Sequence, residues 1–149
     1  MTGRKTYTKI VLVMKIITKN SDYAVRTLCS LVKAENFVSA RTISKETNVP
    51  LPYLRRIIDT LTKEKILETK EGKNGGVKLK KDPSSIKLSD IIRLFQGEIQ
   101  VSRCVFRKAL CPNRKNCLLR KKLLDIEKIL IKQFENITIK SLVEKKEAK

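Results

Sequence analysis

A mainly α-helical chain with one small β-hairpin is predicted by three features of the sequence. Apolar residues recur at helical spacing in five separate stretches, and one Gly/Asn-rich turn sits between two short apolar–polar runs. The last helical stretch is much longer than the others. With 149 residues and 41% hydrophobic content, the chain has material for one domain with a real core.

Residues 1–20 form a basic N-terminal arm or extension without a periodic pattern. The first thirteen are either a mobile arm or a stretch upstream of a true start at Met14. From Ser21, the positions Val25, Leu28, Leu31 and Val32 follow helical spacing, with Ser21 or Asp22 as N-cap. Ser39 opens a short helix through about Glu46, and Asn48-Val49-Pro50 breaks it. The next helix begins near Pro52, where a missing N–H costs nothing. Its residues Leu54, Ile57, Ile58 and Leu61 make one apolar stripe, with Arg55, Arg56 and Lys63 opposite. Ile66–Lys70 and Val77–Lys80 flank the turn Glu71–Gly76 as a hairpin. A helix over Leu88–Gln96 ends at Gly97, a natural C′ residue.

Helix, turn, helix, hairpin is the order of a winged helix-turn-helix, and the pattern assigns residues 21–97 to it. An ordinary small α+β domain is the alternative that element order leaves open. Residues 98–117 form a cysteine-bearing loop. Residues 118–149 hold a long helix from Leu118 to about Asn136 and a charged tail, Lys145–Lys149. The stripe Leu119, Leu123, Ile126, Leu130, Phe134 and Ile137 needs a partner. A second copy of the chain would make this a dimerisation helix; its own domain is the competing partner.

Thirty-four Lys and Arg against fifteen Asp and Glu give a net charge of +19, which points to a polyanionic partner, nucleic acid or an anionic surface. No apolar run approaches the ~18 residues of a membrane span. Ile10–Ile17 is short, interrupted by Lys15 and not followed by a small-residue cleavage site, so a cytoplasmic location is expected. Histidine is absent, which removes the commonest general base and metal ligand; with no phosphate-binding glycine loop, an enzyme is not expected.

The start of the second helix of the motif is where a recognition helix meets the major groove. Tyr53, Arg55 and Arg56 are the side chains placed to reach double-stranded DNA there, by a bidentate grip on guanine or by a phosphate contact. Lys73 and Asn74 at the hairpin tip would touch backbone or minor groove.

Cys104, Cys111 and Cys117 have six and five residues between them in the loop, among Arg103, Arg107, Lys108, Arg114 and Lys115. Thiolates gathered this way suit a soft metal or an iron–sulfur cluster, and redox-active or simply reduced thiols are the other reading. Basic surroundings lower thiol pKa and offset cluster charge. Structural zinc normally takes four N or S ligands, and this loop supplies three. Cys29 lies beside the first apolar stripe and reads as an inert, buried thiol.

From Met14 to about Glu144 the sequence resembles the Rrf-type family of winged-helix regulators, which includes the iron–sulfur-cluster assembly regulator and the nitric-oxide-sensitive repressor. The matching pieces are Ser21-Asp22-Tyr23-Ala24-Val25-Arg26, Val49-Pro50-Leu51-Pro52-Tyr53-Leu54, the wing Gly72–Leu79, the three-cysteine loop and Asn136-Ile137-Thr138. The resemblance implies a homodimeric transcriptional regulator, with a repressor expected, whose operator affinity follows a [4Fe–4S] or [2Fe–2S] cluster on Cys104, Cys111 and Cys117. Where the assembly regulator has a histidine, this chain has Arg120, which cannot ligate. The nitric-oxide-sensitive branch uses an N-terminal aspartate of the other subunit, and Asp22 occupies the matching place, so it is either the fourth ligand or a helix cap. A cluster-free regulator of the same family, controlled by a protein partner or thiol oxidation, is the alternative.

Overall fold

The computed structural model describes residues 16–101 and 111–144, and these form six helices and one hairpin. In order they are α1 (Lys19–Leu31), α2 (Ala40–Thr47), α3 (Leu51–Lys63), β1 (Leu67–Lys70), β2 (Gly76–Leu79), α4 (Leu88–Gln96), α5 (Leu118–Glu135) and α6 (Ile139–Val143). The expected N-terminal arm through residue 15 and the charged tail 145–149 lie outside the described residues.

The start of α1 corrects the sequence reading. Thr18, not Ser21 or Asp22, is the N-cap: its backbone is extended and its hydroxyl accepts from the Ser21 N–H. Ser21 is instead fully buried, and Asp22 falls in the first helical turn. There its carboxylate faces the positive end of the helix and pairs with Arg26 at 2.8 Å.

The helix-turn-helix is built from local signals. Ser39 caps α2 by accepting from Thr42 N at 3.1 Å. Asn48 closes α2 in the left-handed conformation, at φ 56°, which asparagine tolerates better than most residues. Val49 then drops into the core, Pro50 precedes α3, and Ser44 Oγ donates to the Val49 carbonyl at 2.7 Å to hold the turn. On α3, Leu54, Ile57, Ile58 and Leu61 are all buried against Leu28, Leu31 and Ile43. The stripe predicted from spacing is the stripe that packs.

The hairpin is antiparallel, in the register Leu67↔Leu79, Glu68↔Lys78, Thr69↔Val77 and Lys70↔Gly76. Leu67 and Val77 anchor it in the core. Val38, ahead of α2, bonds Val77 in both directions, at 2.9 and 2.8 Å, which ties the wing to the helix-turn-helix. Gly76 is required at this point: its φ is +151° and a Cβ would collide with the Val38 carbonyl.

Two features after the hairpin differ from expectation. The stripe on α5 is divided: Leu130, Phe134 and Ile137 pack with Ile131 on Leu88, Ile92 and Ile99 of their own domain. Leu119 and Ile126 remain 65% and 52% exposed. A further helix, not expected from the sequence, then follows Asn136. This is α6, whose Thr138–Ser141 pair forms a capping box and whose Ile139 is fully buried in the main core. Among the described residues, no helix is long and apolar enough to cross a membrane.

Candidate nucleic-acid interface and cysteine segment

Burial of the α3 stripe forces the other face outward, and Tyr53, Arg55 and Arg56 are all exposed there. No side chain caps the helix, so its first N–H groups are left for an external acceptor. The two arginines occupy different sides of α3. Arg55 borders a shallow groove of about 300 Å³ shared with Ala40, Thr69 and Gly76 on the wing side. Arg56 borders a smaller groove of about 150 Å³ with Asn20, Tyr53 and Phe95, where α1, α3 and α4 meet. Tyr53 is 44% exposed and is held edge-on to Tyr23 of α1, ring centroids 6.1 Å apart. Lys19 Nζ lies 5.5 Å from both ring centroids, a cation–π contact that joins α1 to the start of α3.

Lys73 and Asn74 are exposed at the wing tip. They line an open cleft with Ser39 and Lys70, and Lys70 Nζ sits 6.0 Å above the Phe37 ring. All five residues expected at a nucleic-acid surface therefore lie on α3 and the wing and are solvent-accessible. Lys19 was missed by sequence reading, because nothing in a basic N-terminal stretch marks one lysine as stacked on rings from two helices.

Of the three loop cysteines, Cys104 lies outside the described residues. Cys111 is exposed and Cys117 is half-buried, and both thiols are free of disulfides. A short turn joins them, with Arg114 N donating to the Cys111 carbonyl at 3.2 Å. Cys117 is also the N-cap of α5, its sulfur accepting from Arg120 N at 3.4 Å. Among the described residues, no group of three or more acidic, Cys or His side chains is gathered as a metal site. Cys29 packs against the main core, and burial raises its thiol pKa, as an inert thiol requires.

The root of the cysteine segment is firmly held. Glu127 of α5 is buried, and its carboxylate accepts from Val101 N at 3.1 Å. Arg93 of α4 contacts Asp90, Glu98 and, at 3.5 Å, Glu135 of α5. Neither Glu127 nor Arg93 stood out in the sequence, since a lone charge within a charged helix carries no signal of its own.

A helix-turn-helix followed by a hairpin, with cations and an aromatic ring along the exposed face, defines a winged helix-turn-helix module of the DNA-binding kind. The family model Rrf2, described as an iron-dependent transcriptional regulator, matches residues 17–145, and the chain belongs to that family. It is 27% identical over 135 residues to the transcriptional regulator NsrR of Oceanobacillus iheyensis, covering 88% of this chain and 91% of that protein. It is 28% identical over 133 residues to the regulator IscR of Klebsiella pneumoniae, covering 88% and 81%. The solved structure of CymR, the global cysteine regulator of B. subtilis, superposes with a TM-score of 0.71 at 22% identity, covering 88% and 97%. At that identity the structure speaks for the fold alone. The chain is thus a transcriptional regulator that binds DNA.

Proposed function

We propose that the protein binds operator DNA as a homodimer in the cytoplasm, acts as a repressor, and is controlled by an iron–sulfur cluster on Cys104, Cys111 and Cys117. The observation that carries the cluster reading is the state of the two described thiols. Cys111 and Cys117 bracket one short turn, the first exposed and the second half-buried, and form no disulfide. Soft thiolates are the donors that iron–sulfur clusters take, and the relatives named NsrR and IscR share this family. When bound, the cluster would supply an iron site reactive toward nitric oxide or oxidants.

Asp22 is proposed as the fourth donor, from the partner subunit. Its carboxylate is half-exposed and held by Arg26 at 2.8 Å, so ligation requires that exposed ion pair to open. Such a pair is worth only about 0–1 kcal/mol, which makes the exchange inexpensive. Tyr53, Arg55 and Arg56 read base edges or grip phosphates, and Lys73 and Asn74 hold the backbone beside them. The exposed N-terminal half of the α5 stripe, with Ile129 62% exposed beside it, supplies the self-complementary surface.

A second reading has its own support: a cluster-free regulator controlled by thiol oxidation or a protein partner, on a fold shared with CymR. Anaerobic purification with an absorption spectrum and iron and sulfide assays separates the two. A coloured protein that loses its colour in Cys104→Ala, Cys111→Ala and Cys117→Ala supports the cluster. Colourless, iron-free protein whose DNA affinity still responds to thiol oxidation supports the second reading.

A further inference from the structure

The side chain of Gln96 closes α4 one residue before Gly97, where the cysteine segment begins. Its amide makes three hydrogen bonds to the start of α1, some 75–80 residues away in sequence. Oε1 accepts from Thr18 N and from Ser21 Oγ, each at 2.9 Å, and Nε2 donates to the Ile16 carbonyl at 2.8 Å. Only a primary amide fills all three roles, since the site presents two donors and one acceptor. The residues it grips are the N-cap of α1 and the fully buried Ser21. Between those two contacts, on the same turn, lies Lys19, which is stacked on Tyr23 and Tyr53. Phe95, adjacent to Gln96, lines the groove shared by Tyr53 and Arg56.

We infer that Gln96 is a positioning residue through which the root of the cysteine segment sets the first turn of α1 and, through Lys19 and Tyr23, the placement of Tyr53 on the recognition helix. The root is gripped from the other side by Glu127 on Val101 and by Arg93 near Glu98. A displacement of residues 98–101 therefore acts on a short, hydrogen-bonded lever rather than on a slack loop. The inference rests on the regulator reading above, because it concerns how the cysteine segment reaches the DNA-binding face.

The test uses the full chain, free of any cluster, and double-stranded DNA selected from a random library by the wild-type protein. Gln96→Met keeps the side chain's length and removes all three hydrogen bonds. Gln96→Glu keeps the two acceptor roles but replaces the donor to Ile16 by a carboxylate oxygen that faces the Ile16 carbonyl. In Gln96→Met, affinity for selected DNA should fall about three- to tenfold, the range typical of residues that couple distant sites, while affinity for random DNA holds. Amide exchange at Ser21 and Asp22 should quicken, and the Tyr53 ring resonances should shift. Gln96→Glu should recover part of the lost discrimination through the two acceptor contacts it keeps, which a role in overall stability alone would not predict. Unchanged discrimination, exchange and ring resonances in a folded Gln96→Met protein would overturn the inference. The exchange and ring readouts need no DNA. A wild-type protein with no sequence preference would thus sink the regulator reading, leaving Gln96 to stand or fall on those two measurements.

Discussion

Helices α3 and α5 carry apolar stripes of the same kind, yet the molecule uses them differently. On α3 every member of the stripe is buried within the chain. On α5 the only buried residue is Glu127, while Leu119, Ile126 and Ile129 face outward. A stripe satisfied within the chain stabilises a domain and presents its opposite face to a ligand. A stripe half satisfied holds its own domain at one end and leaves apolar surface exposed at the other. The division falls near Ile126, beyond which Leu130 and Phe134 meet α4.

That comparison breaks most visibly at the exposed end of α5. Ile126→Asp with Ile129→Asp places two carboxylates in the proposed seam, and burial of a lone charge costs several kcal/mol. Sedimentation should show a monomer with native helix content; a persistent dimer places the seam elsewhere. Leu123→Asp with Leu130→Asp is a poorer test, because Leu130 already packs on its own domain.

Next in size is the buried stripe itself. Leu54→Ala on α3 should lower stability by about 2–5 kcal/mol, read by chemical denaturation. Ile126→Ala should cost far less at concentrations where the protein is monomeric. Equal losses would remove the distinction between the two helices.

The exposed face of α3 comes third. If Arg55 or Arg56 reads a base, replacing it by Ala should cost roughly 1–3 kcal/mol of discrimination against the wrong base. Loss that is equal on selected and random DNA, with a shallower salt dependence, assigns that arginine to phosphate. Their separate grooves predict unequal effects, with Arg55 coupled to wing variants and Arg56 to α1 variants.

Smaller effects sit in the turns. Lys65 follows α3 in the left-handed region at φ 57°, which costs a non-glycine residue roughly 1–2 kcal/mol. Lys65→Gly should therefore raise the melting temperature slightly. Asp82 accepts from Ser84 N at 2.7 Å and from its hydroxyl, and these bonds hold its pKa below the ordinary carboxylate value. A depressed folded pKa means the contribution is complete above about pH 4 and fades as the pH falls further. Wild type and Asp82→Asn should thus converge in stability in acid. The difference at neutral pH should be small, because the group is fully exposed.

The recognition helix and wing were legible in the sequence because their signals are local. A stripe of i, i+3, i+4 and i+7 residues, a Pro at the helix start and a glycine-rich turn each act within a few residues. Helix α4 was readable to the residue, since Gly97 supplies the stop at φ +82°. The α1 cap was misjudged because Thr18, Ser21 and Asp22 are all good caps, and the bonds of Gln96 to Thr18 N and Ser21 Oγ come from across the fold. Helix α6 escaped notice because five residues hold little periodicity, and Ile139 is fixed by its N–H bond to the distant Ile86 carbonyl, at 3.0 Å. Of the candidate site, the exposed residues of α3 and the wing were visible, whereas Lys19, Gln96 and Glu127 make contacts between remote segments.

The most direct test of the central claim is a spacing experiment on selected duplex DNA with two half-sites. A dimer joined through α5 holds its recognition helices at a fixed separation, about 34–36 Å for successive major grooves. Inserting about five base pairs between the half-sites, half a helical turn, puts one half-site on the opposite face of the duplex. The wild-type protein should then bind the altered duplex little better than random DNA. Undiminished affinity for the altered duplex would show that each chain binds alone, and would contradict the paired arrangement.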